Sequence, residues 1–152
     1  MNKPENIKEF LEYAKENIPC IKVVIAGSRG YSNYKFFSEF INLIFKEFPD
    51  FSIISGDAPN GPDRMAIEWS REHGVICDKY PAKWDDITAP NARLKFDKKG
   101  REYNANAGYD RNIVMAKLCD FYVIFWDGQS PGTKHMLDTC KKENKYGIVI
   151  MV

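Results

Sequence analysis

The chain reads Ile21-Lys22-Val23-Val24-Ile25-Ala26-Gly27-Ser28-Arg29 at the point that decides its fold. The β-branched apolar run predicts a buried strand, and Gly27 ends that strand in a sharp turn. Apolar residues at helical spacing follow from Phe36 to Phe45, which predicts a helix. A strand that leads directly into a helix is the first half of a βαβ unit and indicates a parallel sheet.

The same alternation continues to the end of the chain. Further strands are predicted at 51–54, 75–80, 121–126 and 147–152, and further helices at 61–73, 104–118 and about 132–142. The run 121–126 is continuously apolar, as is typical of a central strand covered on both faces. We therefore predict an α/β, Rossmann-like three-layer sandwich: a mainly parallel five-stranded sheet of order 3-2-1-4-5, with helices on both faces.

The length of 152 residues fits a single domain spanning 1–152. Apolar residues at three- and four-residue intervals predict an N-terminal helix within 1–20. The polar segment 82–103 interrupts the strand and helix rhythm, so we expect an inserted loop or a lid over the ligand there.

The charge balance bears on the class of partner. Lysine and arginine (22) nearly equal aspartate and glutamate (21), giving a net charge of +1, so binding of long nucleic acid through a charge field is not expected. A small local basic patch is compatible with this balance.

The four cysteines are scattered along the chain, which is typical of reduced core thiols, and the two histidines supply no ligand spacing for a metal. The polar start of the chain predicts neither a signal peptide nor a membrane span. We expect a cytoplasmic protein without a metal or a cofactor.

Glycine-containing loops follow three of the predicted strands, and a further one opens the helix before the fourth. In a parallel sheet such loops meet at the carboxyl edge, where helix N-termini expose N–H groups that favour anions. Arginine binds phosphate in a bidentate manner, and hydroxyl groups and glycine turns complete such a site. The candidate ligand-binding residues in these loops are Gly27, Ser28, Arg29, Ser55, Gly56, Asp57, Asp63, Arg111, Asn112, Asp127, Ser130, Gly132 and Thr133.

Each of these loops also has a purely structural interpretation. Arg29 would then be a solvated side chain on a tight turn, and Asp63 would cap its helix. Arg111 would pair with Asp110 at the surface, and Ser130 or Thr133 would serve as an N-cap.

In this order, the motifs resemble the YspA-like branch of the SLOG superfamily, Rossmann-like proteins related to the LOG phosphoribohydrolases and to the DNA-processing protein DprA. The similar segments run from about Lys22 to the end of the chain: 25–29, Ser55-Gly56 with Gly61 and Asp63, 81–84, 107–112 with Met115, and 125–128 with Gly132-Thr133. The resemblance implies a nucleotide or nucleotide-derived ligand with Gly27, Ser28, Arg29, Gly132 and Thr133 around its phosphates. It also adds Trp84 to the candidate ligand-binding residues.

The chain departs from the family pattern at two single positions and in the inserted lysine-rich stretch 93–101, for which a lid over the ligand and a disordered loop are the alternatives. The LOG enzymes use an arginine at the position of Arg111 together with a glutamate, and the glutamate position is Met136 here. Methionine cannot stabilise an oxocarbenium-like state or activate water, although Asp63, Asp110 or Asp127 could substitute. The second departure is Asp57, where relatives often have glycine.

The missing glutamate makes binding of a nucleotide-derived molecule, for sensing or sequestration, the leading hypothesis. The alternative is a nucleosidase or phosphoribohydrolase that uses Arg111 with Asp63 or Asp127 as catalytic residues. Single-stranded DNA binding is a third function, which the near-zero net charge disfavours. Related folds often pair through helices, so a homo-oligomer stays open.

Overall fold

The computed structural model describes residues 5–46, 48 and 50–152, which form five helices and seven strands. The helices are α1 (Ile7–Asn17), α2 (Tyr34–Phe45), α3 (Pro62–His73), α4 (Ala107–Leu118) and α5 (Pro131–Lys142). The strands are β1 (Ile21–Gly27), β2 (Phe51–Ser55), β3 (Cys77–Lys79), β4 (Leu94–Phe96), β5 (Glu102–Asn104), β6 (Phe121–Trp126) and β7 (Tyr146–Met151).

Five of the strands form one parallel sheet in the order β3-β2-β1-β6-β7. Since β6 and β7 are the fourth and fifth strands of this sheet in chain order, the predicted order 3-2-1-4-5 and the Rossmann-like α/β fold are confirmed. The chain reverses its winding direction between β1 and β6, so the loops after these two strands lie side by side.

Two apolar cores flank the sheet because β1 and β6 are apolar on both faces. Alternate residues of β1, such as Val23 and Val24, belong to different cores. One core packs against α1, α2 and α3, and it contains Trp69 and Met65 of α3. The other core packs against α4 and α5. The helices therefore cover both faces of the sheet.

The element boundaries differ slightly from the prediction. The helix predicted from 104 begins at Ala107, because Asn104 belongs to β5 and its side chain accepts the N–H groups of Arg93 and Asn106. The third strand is shorter than predicted, spanning Cys77–Lys79 instead of 75–80. Of the predicted N-terminal segment 1–20, the helix occupies Ile7–Asn17, and residues 1–4 lie outside the described residues.

The inserted segment 82–103 contains ordered strands. Strand β4 pairs with β5 in an antiparallel hairpin, with Lys95 opposite Tyr103 and Phe96 opposite Glu102. Its function as a lid and the single-domain boundaries 1–152 remain predictions.

None of the helices in the described part of the chain has the length and apolar character needed to cross a membrane.

Candidate functional site

A cavity of about 500 Å³ opens at the carboxyl edge of the sheet. The loop after β1, the start of α3, the N-terminal half of α4 and the start of α5 form its walls. Nine of the predicted ligand-binding residues line it: Gly27, Arg29, Asp63, Trp84, Arg111, Asn112, Ser130, Gly132 and Thr133. The topology therefore brings Arg29, Arg111 and Thr133 around one cavity, although Arg29 and Thr133 are more than a hundred positions apart in the sequence.

The loop after β1 is held against the end of β6 by hydrogen bonds. The Ser28 N–H donates to the carbonyl oxygen of Phe125 (2.9 Å), and the Ser28 hydroxyl accepts the N–H of Asp127 (3.1 Å). A Cβ on Gly27 would lie 2.3 Å from the Phe125 carbonyl oxygen, so only glycine fits there. Ser28 is consequently a buried bridge between the two central loops and does not line the cavity.

Gly61 brings the loop before α3 against the backbone of Arg29. Its φ of +77° lies in the left-handed region, and a Cβ there would lie 2.8 Å from the Cα of Arg29. The loop after β2 thereby supports the backbone that carries the Arg29 guanidinium into the cavity.

Arg111 reaches from α4 to the ends of two strands. Its Nη1 donates to the carbonyl oxygens of Gly56 and Tyr80, and its Nε donates to Oδ1 of Asn112 (3.1 Å). Asp110, its predicted surface partner, accepts hydrogen bonds from Asn91 instead. Arg111 therefore fixes the loops after β2 and β3 relative to α4 while lining the cavity.

Asp63 does not cap α3 with its side chain. The N-cap is Gly61, without a side-chain hydrogen bond, and the Asp63 carboxylate accepts the N–H of Ala58 (3.2 Å). Burial raises the pKa of the Asp63 carboxyl, and the nearby positive charge of Arg111 opposes that rise. The cavity thus contains a desolvated carboxyl group beside a desolvated guanidinium, whose own pKa burial lowers.

Gly56 allows the side chains of Arg111 and Asp63 to converge. A Cβ on Gly56 would lie 2.6 Å from Nη1 of Arg111 and 2.7 Å from Oδ2 of Asp63. Behind it, the buried Ser55 hydroxyl donates to the backbone carbonyl of Asp63 (2.9 Å) and accepts the N–H of Asp57 (3.2 Å). Ser55 and Gly56 therefore shape the site from behind the cavity wall.

Asp57 adopts a left-handed conformation, with φ +58°. Aspartate is among the few residues other than glycine that adopt this conformation readily. Asp57 does not line the cavity.

Trp84 supplies an aromatic wall. Its side chain is exposed over 39% of its surface, and its ring edge lies over the backbone of Gly108 at the start of α4. Tyr109 follows on the same helix, lines the cavity and stacks on His135 at a centroid distance of 4.2 Å. An aromatic wall of this kind suits a planar ligand group.

The N-terminus of α5 forms another part of the cavity wall. Its N-cap, Ser130, makes no capping hydrogen bond because its hydroxyl donates to Oδ2 of Asp127 (2.9 Å). The Asp127 carboxylate also accepts the N–H groups of Gln129 and Ser130, and these hydrogen bonds lower its pKa to about 2. Asp127 therefore holds the loop in shape and does not line the cavity, whereas Gly132 and Thr133 do.

Sequence reasoning missed several cavity residues. Ala105, Gly108, Tyr109 and Met115 face the cavity from α4 and the turn before it. All except Ala105 lay in the segments on which the resemblance rests, and that was the available signal for them. Met136, at the position of the LOG glutamate, faces the cavity from α5. Within the described ranges, no three acidic, histidine or cysteine side chains gather in a group that could hold a metal ion.

Residues 21–86 match the family model described as the YspA, cpYpsA-related SLOG family (YAcAr). This match confirms the resemblance noted from the sequence. Comparison with curated proteins gives no match.

Two solved structures of DNA processing protein A share the fold. The Streptococcus pneumoniae protein is 20% identical with a TM-score of 0.61, over 86% of this chain and 50% of that protein. The Helicobacter pylori protein, whose structure concerns its single-stranded DNA binding mode, is 20% identical with a TM-score of 0.59, over 95% and 68% of the two chains. This chain thus spans half the length of the S. pneumoniae protein.

Proposed function

We propose that this chain, which matches the SLOG family model over residues 21–86, binds a nucleotide or nucleotide-derived small molecule in the cavity described above. The observation that carries the proposal is that one cavity combines a cation, a helix N-terminus and an exposed indole, contributed by Arg29, α5 and Trp84. A nucleotide presents the complementary groups, namely an anionic phosphate and a planar base.

The phosphate would bind between Arg29 and α5. The first turn of a helix has N–H groups without partners within the helix, and the helix dipole favours an anion beside them. Since the Ser130 hydroxyl is directed to Asp127, the N–H groups of Gly132 and Thr133 remain available to a ligand. The Thr133 hydroxyl would add a further donor.

The base would lie against Trp84, which lines the same cavity. The volume of about 500 Å³ falls within the range usual for small-molecule sites. Asn112 lines the same space and can donate to or accept from the polar edge of a base.

Binding without hydrolysis is favoured by the residue at position 136. Met136 faces the cavity and is 1% exposed, so the position of the LOG glutamate is filled by an apolar side chain packed into the core. No carboxylate can act from that place.

Hydrolysis of the N-glycosidic bond is the second candidate, and Asp63 is the observation in its favour. This carboxyl lines the cavity beside Arg111 and is desolvated, as is common for catalytic acids. Asp127 suits the role less, since its carboxylate is engaged by its own loop.

Calorimetric titration with nucleoside monophosphates tests binding. Arg29→Ala should abolish or strongly weaken the binding, and Thr133→Val should weaken it, while both variants keep the melting temperature of the free protein. Arg71→Ala, which removes an exposed arginine from the last turn of α3, is the matched control and should bind as the wild type does. Wild-type affinity in the Arg29 and Thr133 variants would refute the proposed site.

Chromatography of the same mixtures separates binding from hydrolysis. Intact nucleotide after long incubation supports binding alone. Release of free base by the wild type, lost in Asp63→Asn while that variant remains folded by circular dichroism, would establish the hydrolase instead.

The single-stranded DNA binding of the H. pylori protein sits uneasily with the expectation that the net charge disfavours nucleic acid as a partner. That expectation came from the net charge of the whole chain, which says nothing about how the charges are distributed.

A further inference from the structure

The hairpin of β4 and β5 concentrates positive charge. Residues 93–104, which we call the basic hairpin, contain five of the 22 basic residues and two of the 21 acidic ones, a net charge of +3 against +1 for the whole chain. One of the five, Arg101, forms an ion pair with Asp97 inside the hairpin (3.2 Å). The other four, Arg93, Lys95, Lys98 and Lys99, have no carboxylate partner among the described residues.

An aromatic ring stands among these cations. Phe96 is 70% exposed, more than any other large apolar side chain in the described part of the chain. Leu94, two positions earlier on the same face of the strand, is also exposed. Among the described residues, the Phe96 ring takes part in no ring–ring or cation–π contact, and its exposure shows that it contributes little to the core.

The hairpin is held in a defined conformation by hydrogen bonds at both ends. At its base, the N–H of Asn104 donates to the carbonyl of Trp84 and that of Ala105 donates to the carbonyl of Arg93, both at 2.7 Å. At its tip, the Asp97 carboxylate accepts the N–H groups of Lys99 and Arg101, both at 2.9 Å. An arm that is already ordered loses little conformational entropy when it binds a partner.

We propose that the basic hairpin binds single-stranded nucleic acid, with Phe96 stacking on a base and the four unpaired cations contacting phosphates. An exposed ring bordered by lysines matches the alternation of base and phosphate along a single strand. In a duplex the bases are already stacked, and the ring of Phe96 would find no free base face.

A membrane surface fits the hairpin less well. Glu102 lies directly across from Phe96 on the same face, so insertion of the ring into lipid would carry a carboxylate with it. Single-stranded nucleic acid places no such demand, because the solvated strand leaves the carboxylate in water.

Fluorescence anisotropy with a labelled oligothymidylate of about 15 nucleotides tests the proposal. Wild-type protein should bind with a logarithmic salt slope between about −2 and −3, as expected for three or four phosphate contacts. Phe96→Ser should weaken binding by roughly tenfold through loss of one base stack. Lys98→Glu with Lys99→Glu should weaken binding further and flatten the salt slope.

The matched control is Lys8→Glu with Lys46→Glu, which changes the net charge equally at exposed positions on α1 and at the end of α2. This variant should bind the oligonucleotide within about twofold of the wild type, because long-range charge is screened at physiological salt. If the double glutamate variant of the hairpin fails to fold by circular dichroism, Lys98→Ala with Lys99→Ala replaces it, with a weakening of at least threefold expected.

Arg29→Ala separates this proposal from the nucleotide site. It should leave oligonucleotide binding intact, and the hairpin variants should leave binding of nucleoside monophosphates intact. The proposal would be overturned by absence of oligonucleotide binding at low salt, by equal loss in the Lys8 and Lys46 control, or by an unchanged affinity in Phe96→Ser. Binding to vesicles of phosphatidylserine and phosphatidylcholine that requires Phe96, without oligonucleotide binding, would assign the hairpin to membranes instead.

Discussion

The edge of the Trp84 indole lies where a side chain at position 108 would be: a Cβ on Gly108 would come within 2.8 Å of Cη2 of Trp84. The glycine therefore lets the inserted segment close over the start of α4 and form the aromatic wall of the cavity. Trp84 also lies near Tyr103 of the hairpin, with ring centroids 6.3 Å apart. The indole thus connects the insert with the wall of the cavity.

Gly108→Ala should displace the indole and weaken nucleotide binding several-fold. Stability should stay close to the wild type, since alanine favours a helix by about 1 kcal/mol over glycine and the far edge of the ring can move. Tryptophan fluorescence reports the displacement, and calorimetric titration reports the affinity. Gly30→Ala, which adds a methyl group at another cavity glycine with no atom within 4 Å, should change neither.

Gly56→Ala should destabilise the fold by about 2 to 4 kcal/mol. The new methyl group would displace the Arg111 guanidinium and the Asp63 carboxylate, and their buried hydrogen bonds would be lost. Urea unfolding measures the change in the free energy of unfolding. The double variant Gly56→Ala with Asp63→Ala should lose less free energy of unfolding than the sum of the losses in the two single variants. A loss equal to that sum would contradict the proposed clash.

Asp63→Asn should gain stability relative to the wild type as the pH rises. An acid whose pKa is raised on folding stabilises the folded state fully below its unfolded pKa, here 3.8, and this contribution is lost as the pH rises through the folded pKa. Asparagine does not titrate and so removes that dependence. Melting temperatures of both proteins from pH 4 to pH 8 test this prediction. It would be refuted if the wild type became more stable relative to Asp63→Asn as the pH rises.

Val123→Asn should cost about 3 kcal/mol or more in the free energy of unfolding. Val123 is fully buried in the central strand, and an amide there would lie among apolar side chains without partners. Val114→Asn is the control, because Val114 is 46% exposed on α4 and because valine and asparagine have similar helix propensities. Denaturant unfolding should show a change within about 0.5 kcal/mol for that variant.

The strands and helices were predictable because their signals are local. A run such as 121–126 is apolar at every position, and this alone marks a central strand with cores on both faces. The glycine loops likewise mark the carboxyl edge of a parallel sheet, and eight of the residues predicted there do line one cavity. The helix starting at Ala107 was misplaced by three residues because the Asn104 side chain binds the backbone of Arg93, eleven positions away.

The α/β architecture, the strand order and the set of loops that meet at one edge were predictable from the chain alone, because they follow from the periodicity of apolar residues and from the chemistry of turns. The function of each polar side chain at that edge depends on the three-dimensional packing. Arg111 bonds to carbonyl groups 55 and 31 positions away, and Asp63 binds the loop after β2 rather than capping its helix. Such contacts join residues that are distant along the chain. The local sequence around an arginine does not show whether its side chain is buried or solvated. A local pattern therefore cannot distinguish a residue that holds the cavity walls together from one that faces a ligand.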